Sequence, residues 1–531
     1  MTGIQTTTHR VVPATPKVRL LAWTEKAYDL AIASARTCYA PELKTVDSVN
    51  DKLRDFLGTM IYDAGHHTPF QHPTFVFGLE GVSRQFVWAF LHSHPYYNSE
   101  QQSQRYVVMD AAHVVVPDGL TAEQRDRFHH AVEVAYDAYD RIGGLLQEDL
   151  KRTMTAIGRI KGQSEKKIAQ EAQKKAIENA RYVVPIAAAT SLYHTVSGIE
   201  LKRYARMAET GDCPAESRAV VMAMLEAVRA VDPDFVERIQ EEPMPRSEVL
   251  ETCIEQAAGA RTPGGKSDGD RFAEAFDARL EGLPARLVAH TEQGERLMAE
   301  GVRESLGIDE AALDDDQAIA LVMDPAKNPH HVDTLNTWTH SPAMRALNHV
   351  HYTFKKKLSH TADSQDQRHR TVPATRPLLS RVHTSYPDHH TPEPIAKNAE
   401  AKRVYDEAMA LLWETKNALI ADGVPAEKAV YILPNAVNVR FTASGPLIGF
   451  LHKWRLRTCF NAQREIYDHS MVERAQVAQV QPRLGRHIGP PCMLRVHDQS
   501  SWQPKEGPCP EGPQWCGVKV WTNFPDVKRP F

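Results

Sequence analysis

Long apolar segments, a disulfide framework and a secretory leader are all missing from this sequence. No run of about 18 apolar residues occurs, which argues against a membrane-spanning helix. The seven cysteines are odd in number and mostly scattered singly, and this suits a reducing cytoplasm better than paired disulfides. The N-terminal residues contain no apolar h-region of the kind that precedes secretion. These absences predict a cytoplasmic protein that does not engage membranes.

The chain also lacks a strong charge of either sign. Lys and Arg number 63 against 67 Asp and Glu, which leaves a formal net charge of −4. No basic stripe interleaved with aromatic residues is present, and so a nucleic-acid-binding module is disfavoured. With 531 residues, 42% hydrophobic and 24% charged, the sequence is typical of a soluble globular protein of two to four domains.

The stretch from Ser83 to Tyr106 combines an apolar run with a polar cluster. Residues 86–91 can continue a buried helix, and Pro95 ends it because proline lacks an N–H donor. Amides, a hydroxyl and a guanidinium follow within a few residues: Gln101, Ser103 and Arg105. Such groups suit a bound phosphate or the polar edge of a ring. A solvated loop after a helix is the alternative reading.

A second stretch has the same organisation, and other segments repeat around it. Ser364–Arg370 (SQDQRHR) follows a possible strand and helix at residues 349–361. Val18–Glu25 (VRLLAWTE) matches ARLVAHTE, which begins at Ala285, at an offset of 267 residues. The segment VYILP from Val430 corresponds to YVVP from Tyr182. Several matches in the same order indicate an internal duplication.

Both repeats resemble one family, the flavin-dependent thymidylate synthases. The family signature is Arg-His-Arg, seven residues, and then Ser-x-Arg-Tyr. The first repeat has Ser93-His94-Pro95 in place of the first part, and it keeps the second as Ser103-Gln104-Arg105-Tyr106. The second repeat has Arg368-His369-Arg370 complete but carries Leu378 where the serine is expected. The family arginine of a later motif, Thr-x-Asn-x-Arg, is replaced by Ile199 in the first repeat.

The resemblance implies an α+β fold with two tandem thymidylate-synthase-complementing-type domains. Each domain would have a small, mostly antiparallel sheet with long helices beside it. The first domain is expected at residues 15–240 and the second at 284–481. Residues 241–283, rich in Pro, Gly and charge, are expected to form a linker or exposed loops, and residues 482–531 a Cys/Pro/Gly-rich tail.

By the same resemblance, the protein would methylate dUMP to dTMP with methylenetetrahydrofolate and NADPH, using FAD as the cofactor. The residues that match catalytic positions are Ser103, Arg105 and Arg368. Those that match flavin-binding positions are Cys38, His66, Thr68, His94, Arg368, His369 and Arg370. Those that match dUMP-binding positions are Gln101, Ser103, Arg105, Gln365 and Arg368.

Neither repeat holds a complete set of motif residues, and two interpretations follow. Family sites draw on more than one subunit, so the Arg-His-Arg face of the second repeat could combine with Ser103 and Arg105 of the first. A homodimer of tandem chains would then imitate the family's tetramer. Alternatively, the chain is a catalytically degenerate paralogue that binds flavin or nucleotide, or a scaffold.

The tail suggests a zinc site. Cys492, Cys509 and Cys516, with His497, supply the ligand types of a tetrahedral Cys₃His site. Their spacing of sixteen and then six residues is not a standard zinc spacing, and three reduced cysteines in a Pro/Gly-rich tail are the alternative.

Overall fold

The structure is a computed structural model, and it describes residues 9–92, 94–107, 109, 112–209, 213–240, 244–250, 267–333, 335–498 and 507–531. Much of the expected linker at 241–283 lies outside these residues, as does Ser93 of the first motif. Within the described ranges, no helix is long and apolar enough to cross a membrane.

In the part of the chain that the structure describes, ten strands form three sheets. The strands are β1 Val11–Pro13, β2 Lys17–Trp23, β3 Thr74–Ser83, β4 Asn98–Gln101, β5 Ala112–Val114, β6 Ala189–Ser197, β7 Ala285–His290, β8 His351–Ser359, β9 Ala374–Thr375 and β10 Asn438–Pro446. One antiparallel sheet has the order β2-β3-β6-β4 and a second has the order β7-β8-β10-β9, while β1 pairs in parallel with β5. The two four-stranded sheets therefore share one topology.

The described helices are of very unequal length. They are α1 Ala27–Thr37, α2 Asp51–Leu53, α3 Thr59–Asp63, α4 Arg84–Leu91, α5 Ala122–Ile160, α6 Glu165–Ala180, α7 Gly198–Glu209, α8 Ala215–Arg229, α9 Pro233–Glu237, α10 Asp268–Leu280, α11 Gly294–Leu306, α12 Asp315–Met323, α13 His360–Asp366, α14 Leu379–Val382, α15 Glu393–Lys397, α16 Ala399–Ala421, α17 Ala426–Ala429, α18 Leu447–Arg457, α19 Arg464–Val480, α20 Pro482–Gly485 and α21 Pro491–Arg495. Small antiparallel sheets with long helices confirm the predicted α+β class.

The chain divides into two compact units that do not follow the repeats. The first unit consists of the described parts of Met1–Glu133, Pro185–Gly265 and Gly423–Ile432. The second consists of the described parts of Val134–Val184, Lys266–Asp422 and Leu433–Phe531. Each unit thus contains a segment from the other repeat: Val134–Val184 joins the second unit, and Gly423–Ile432 joins the first.

The sequence duplication is visible in the backbone. The register of β2 shifts between Leu20 and Ala22 where it pairs with β3, and the register of β7 shifts between Leu287 and Ala289 where it pairs with β8. These bulges are 267 residues apart, the offset at which the two sequences match. A bulge re-aims the side chains that follow it, and so its repetition indicates that both edge strands present the same faces.

The core of the first unit lies on one face of its sheet. Alternate residues of the central strand β3 point inward, and Phe75, Phe77 and Leu79 are fully buried. This alternation is the period of a strand that is half buried. His194 of β6 lies among these apolar groups, and burial lowers its pKa to about 3, so the imidazole is neutral.

A buried carboxylate joins three segments in each unit. In the first unit, Ser83 donates to Glu216 from its backbone nitrogen (2.8 Å) and from Oγ (2.5 Å), and Tyr431 Oη donates to the same carboxylate (2.5 Å). Ser83 also caps α4 by accepting a bond from the Phe86 N–H. Burial raises the pKa of Glu216, while the hydrogen bonds from Ser83 and Tyr431 oppose that rise.

The second unit repeats this arrangement with Ser359, Glu465 and Tyr182. The Ser359 nitrogen and Oγ each lie 2.6 Å from the Glu465 carboxylate, and so does Tyr182 Oη. The tyrosine in each unit comes from the segment that the other repeat supplies. These hydrogen bonds therefore help to fix the exchanged segments in place.

We expect Tyr431→Phe to destabilise the first unit by about 1–3 kcal/mol, since it leaves the buried Glu216 carboxylate with one donor fewer. Urea denaturation followed by circular dichroism measures the change. Tyr193→Phe is the matched control, because Tyr193 is 61% exposed and its hydroxyl can bond to water. Equal stability of the two variants would contradict a structural role for the Tyr431 hydroxyl.

Candidate functional site

The Arg-His-Arg motif of the second repeat lies in a tight turn after α13. Ser359 caps the start of this short helix, and Asp366 is its last residue. The His369 N–H then donates to the Asp366 carbonyl (3.0 Å), and the Val372 N–H donates to the His369 carbonyl (2.9 Å). This turn buries the His369 ring and leaves Arg368 and Arg370 exposed on either side of it.

The His369 ring is held by an arginine from α18. Arg457 Nε donates to His369 Nε2 (2.9 Å), and Arg457 Nη2 donates to the Gln365 carbonyl (3.0 Å). Burial, and then the nearby Arg457 charge, hold the pKa of His369 well below its usual range. Because Nε2 accepts a hydrogen bond, the proton of the neutral ring belongs on Nδ1. Among the residues that the structure describes, this buried Nδ1 has no partner.

A chain of hydrogen bonds connects the motif to the buried glutamate of the second unit. The Gln365 amide donates to Gln463 Oε1, which also accepts from Arg181 Nη2 at 2.6 Å. The Gln463 amide donates to Tyr182 Oη, and Tyr182 donates to Glu465. Burial, the Glu465 charge and the bond to it raise the pKa of Tyr182 well above its usual range. The Tyr182 phenol therefore stays protonated. The series of hydrogen bonds fixes the Gln365 side chain.

A cavity of about 1040 Å³ opens beside this hydrogen-bonded chain in the second unit. Its wall contains Tyr182, Gln463 and Glu465 together with charged side chains of both signs. These charged residues are Asp149, Arg152, Lys175, Glu178, Glu393, Lys397, Arg464, Asp468, Lys528 and Arg529. A volume of this size is enough for a nucleotide-sized ligand.

In the first unit, the predicted site residues have local partners. Arg84 Nη1 donates to Gln101 Oε1 (3.3 Å), and Ser103 Oγ accepts from the Arg105 N–H (3.2 Å). The Arg105 guanidinium lies over the Tyr106 ring, 5.5 Å from its centroid. His94 Nε2 lies 2.6 Å from Tyr204 Oη, within a cluster of aromatic rings. Gln101, Ser103 and Arg105 thus lie close together along one short segment.

Three other predicted flavin-binding residues, Cys38, His66 and Thr68, are exposed in the first unit. The motif residues Arg368, His369 and Arg370 belong to the second unit, as does Gln365. The structure therefore brings Gln365 and His369 into one bonded network. The combination of that network with Ser103 and Arg105 stays a prediction.

The helix caps give a register for comparing the two motifs. Ser83 and Ser359 cap α4 and α13, and they are 276 residues apart. Counting from these caps places His92 opposite Arg368 and His94 opposite Arg370, one position from the register inferred from sequence. Eight residues separate His94 from Ser103, whereas seven separate Arg370 from Leu378. Matching the seven-residue spacing of the family therefore gave the other register. In either register, the first repeat lacks both arginines.

The first repeat also lacks the residues that hold the motif in the second. Glu216 and Glu465 occupy equivalent positions, 249 residues apart, because both bind the capping serine. At this offset Arg457 corresponds to Ala208, and Gln463 corresponds to Pro214. Sequence reasoning did not assign roles to Arg457, Gln463 or Tyr182. The YVVP segment contains Tyr182, and the segment AQREI at residues 462–466 contains Gln463.

The missing arginine of the first repeat is missing from the second as well. Residue 199 corresponds to residue 448 at the offset of 249, and both are isoleucines in the first turn of a helix, α7 and α18. Both side chains are buried. A guanidinium is therefore absent from this position in both repeats.

The structure places the predicted zinc ligands of the tail in different surroundings. Cys492, Cys509 and Cys516 pack with Phe460 and other apolar side chains in a small cluster of the second unit, and His497 is exposed. Burial raises the pKa of all three thiols. In the described part of the chain, no group of three or more His, Cys, Asp or Glu side chains is arranged to hold a metal ion. The cysteines act as apolar packing groups in this cluster.

Comparison with known proteins gives a consistent result for both repeats. The family model described as "Thymidylate synthase complementing protein" matches residues 19–234 and 286–483. The "Flavin-dependent thymidylate synthase" of Clostridium tetani is 32% identical over 224 residues, 41% of this chain and 84% of that protein. The protein of the same name from Nitratidesulfovibrio vulgaris is 30% identical over 232 residues, 41% of this chain and 85% of its own.

A solved structure, the "UMP/dUMP methylase PolB" of Streptomyces cacaoi bound with 5-Br dUMP, is 20% identical to the chain. The match covers 43% of this chain and 96% of that one, with a TM-score of 0.31, which is too low to support a structural argument. The family match spans most of both repeats, and their sheets share one topology. The chain therefore belongs to the thymidylate synthase complementing protein family and carries its domain twice in tandem.

Proposed function

We propose that this protein binds FAD and dUMP and methylates dUMP to dTMP, with methylenetetrahydrofolate as the one-carbon donor and NADPH as the reductant. The observation that carries the proposal is the turn at residues 368–370, where two exposed guanidiniums flank a buried neutral imidazole. The names of the relatives, flavin-dependent thymidylate synthases, support the same reaction.

The residues of this turn fit an anionic ligand that has a polar ring. Arg368 and Arg370 can form charge-assisted bonds to phosphate oxygens. The buried His369 ring lies between them, and Arg457 holds its Nε2. A turn that keeps one geometry before binding loses less entropy when a ligand binds to its arginines. FAD and dUMP both carry phosphates and polar rings.

When it is bound, the flavin supplies the redox chemistry, and the protein supplies binding, orientation and electrostatics. In this chain, the guanidiniums of Arg368 and Arg370 would stabilise negative charge on a ring or phosphate. The Gln365 side chain would be held in one position by its hydrogen bond to Gln463, which in turn bonds to Tyr182. Removal of one donor that stabilises developing charge typically costs about 3 kcal/mol of barrier.

We further propose that Ser103 and Arg105 of the first repeat complete the site that contains Arg368. This division of labour requires no second complete motif, which explains how each repeat can lack one part. Two chains would then assemble as a homodimer with one functional site per chain. An obligate interface of this kind usually buries more than about 2,000 Å².

A degenerate paralogue is the second candidate function. It is favoured by the isoleucine at residues 199 and 448, since the family places an arginine at the corresponding motif position. Such a protein would bind flavin or nucleotide without forming dTMP, or would act as a scaffold. Its binding of FAD without turnover of dUMP would separate it from the synthase.

We expect Arg368→Ala to weaken binding of FAD or dUMP by about 1.5–3 kcal/mol, the scale of a hydrogen bond to a charged group. Flavin absorbance of the purified protein and calorimetric titration with dUMP provide the measurements. Arg345→Ala is the matched control, because Arg345 is an exposed arginine of the same unit outside the motif. Affinities equal to wild type for both ligands in Arg368→Ala would remove the second repeat from the site.

For the shared site, we expect one FAD per chain and non-additive effects of Arg105→Ala and Arg368→Ala on dTMP formation. Residues that act as one unit lose the same activity together. Fluorescence titration of the apoprotein with FAD gives the stoichiometry, and a double-mutant cycle gives the coupling. Arg10→Ala, an exposed arginine of the first unit, is the control. Two FAD per chain with additive effects would argue for independent sites.

A further inference from the structure

Four fully or nearly fully buried charged side chains lie directly behind the Arg-His-Arg turn. They are Lys356 of β8, Asp366 at the end of α13, Lys453 of α18 and Glu473 of α19, here called the buried quartet. Lys356 Nζ lies 2.8 Å from both Asp366 and Glu473. Lys453 Nζ lies 3.0 Å from Asp366 and 2.9 Å from Glu473. Each cation therefore contacts both anions, and the set is electrically neutral.

The first repeat has no charge at any of the four equivalent positions. The two repeats can be aligned on the helix-capping serines, on the glutamates that bind them and on the cross-strand pairs of the sheets. The equivalent residues are Leu79 and Lys356, Phe90 and Asp366, Tyr204 and Lys453, and Met224 and Glu473. All four belong to the hydrophobic core of the first unit. The same backbone arrangement is thus filled by three apolar side chains and a tyrosine in one repeat and by four ions in the other.

This exchange indicates that the quartet does not serve stability alone. Well-packed apolar residues commonly stabilise a fold as well as a buried ionic set does, or better, because the ions must be desolvated. The first repeat shows that the fold accepts the apolar version. A set that is costly to desolvate and can be replaced is expected to have another use.

The contacts of the quartet identify that use. Asp366 supplies the carbonyl that accepts the His369 N–H, and so its position sets the start of the motif turn. The Asp366 carboxylate is bound by Lys356 of β8 and by Lys453 of α18. The same α18 carries Arg457, which holds His369 Nε2 and the Gln365 carbonyl. Trp454 of α18 donates to Glu473 (2.8 Å), which connects α18 to α19.

We propose that the buried quartet is a positioning device that fixes the backbone of the Arg368–Arg370 turn against α18. Lys356, Asp366, Lys453 and Glu473 touch no ligand in this role; they act through Asp366 and Arg457 on the motif. Buried ions bond in few directions, whereas apolar side chains can slide past one another, and so an ionic set holds the turn in one geometry. The repeat that has lost the motif arginines has also lost the quartet.

The test compares two balanced, near-isosteric double variants. Lys453→Met with Asp366→Asn removes one cation and one anion of the quartet and leaves Lys356 with Glu473. Arg303→Met with Asp315→Asn is the control, because this ion pair of the same unit (2.9 Å) lies outside the motif and its arginine is buried. A third variant replaces all four residues by those of the first repeat: Lys356→Leu, Asp366→Phe, Lys453→Tyr and Glu473→Met.

Hydrogen exchange of the peptide that spans residues 362–372 is the primary measurement, after circular dichroism has identified which variants are folded. We expect exchange of this peptide to be at least tenfold faster in the quartet double variant than in wild type and unchanged in the control. If the double variant fails to fold, the fourfold variant supplies the same comparison. Exchange as slow as wild type in a folded quartet variant would overturn the proposal.

The second measurement rests on the proposed function: affinity for FAD and dUMP should fall at least tenfold in the quartet variant and stay unchanged in the control. Wild-type protein that binds neither ligand would refute the proposed function, and hydrogen exchange would still decide whether the quartet positions the turn.

Discussion

The hydrogen bonds of one buried carboxylate in each unit are the constraint on which much else depends. Glu216 and Glu465 each accept from the serine that caps a short helix and from a tyrosine of the exchanged segment. The serine fixes where the helix begins, and so it also fixes the position of the motif nine to eleven residues later. A buried carboxylate left without these donors would be strongly destabilising, and therefore the three groups are held together.

The two repeats share this arrangement but differ in the side chains that surround the motif. The second repeat surrounds its motif with ions and amides: the buried quartet, Arg457 and Gln463. The first repeat has apolar or small residues at the corresponding positions, with Ala208 and Pro214 as examples. The polar network must be complete to be tolerated inside a protein, since a half-satisfied network costs more than an apolar core. The coordinated loss in the first repeat agrees with that rule.

The first repeat nevertheless keeps polar groups at its own motif. Gln101 is held by Arg84, and Ser103 is hydrogen-bonded to the backbone of Arg105. Where the second repeat has Lys453, the first has Tyr204, whose hydroxyl lies between His94 and His194. Burial keeps His194 neutral at physiological pH. Around the position of Lys453, the first repeat therefore has a cluster of aromatic and imidazole rings, whereas the second repeat has ion pairs.

The family, the duplication and the α+β class could be predicted from the residues alone, because they depend on local patterns that recur in order. The matching segments that begin at Val18 and Ala285 lie on the corresponding strands Lys17–Trp23 and Ala285–His290. The sequence also contains the Arg368-His369-Arg370 motif, whose role in binding stays a prediction. Cysteine spacing did not reveal that Cys492, Cys509 and Cys516 pack with apolar side chains, and the described residues contain no group of three or more ligands arranged for a metal ion.

The residues that support the motif could be recognised only in the folded chain, because the partners are far apart in the sequence. Arg457 and His369 are separated by 88 positions, and Tyr182 and Glu465 by 283. No local pattern encodes such contacts. The assignment of Val134–Val184 to the second unit and of Gly423–Ile432 to the first is likewise a long-range feature. Tyr182 bonds to Glu465, and Tyr431 bonds to Glu216. Burial decided the protonation of His369, since an imidazole loses its charge when it leaves water beside a guanidinium.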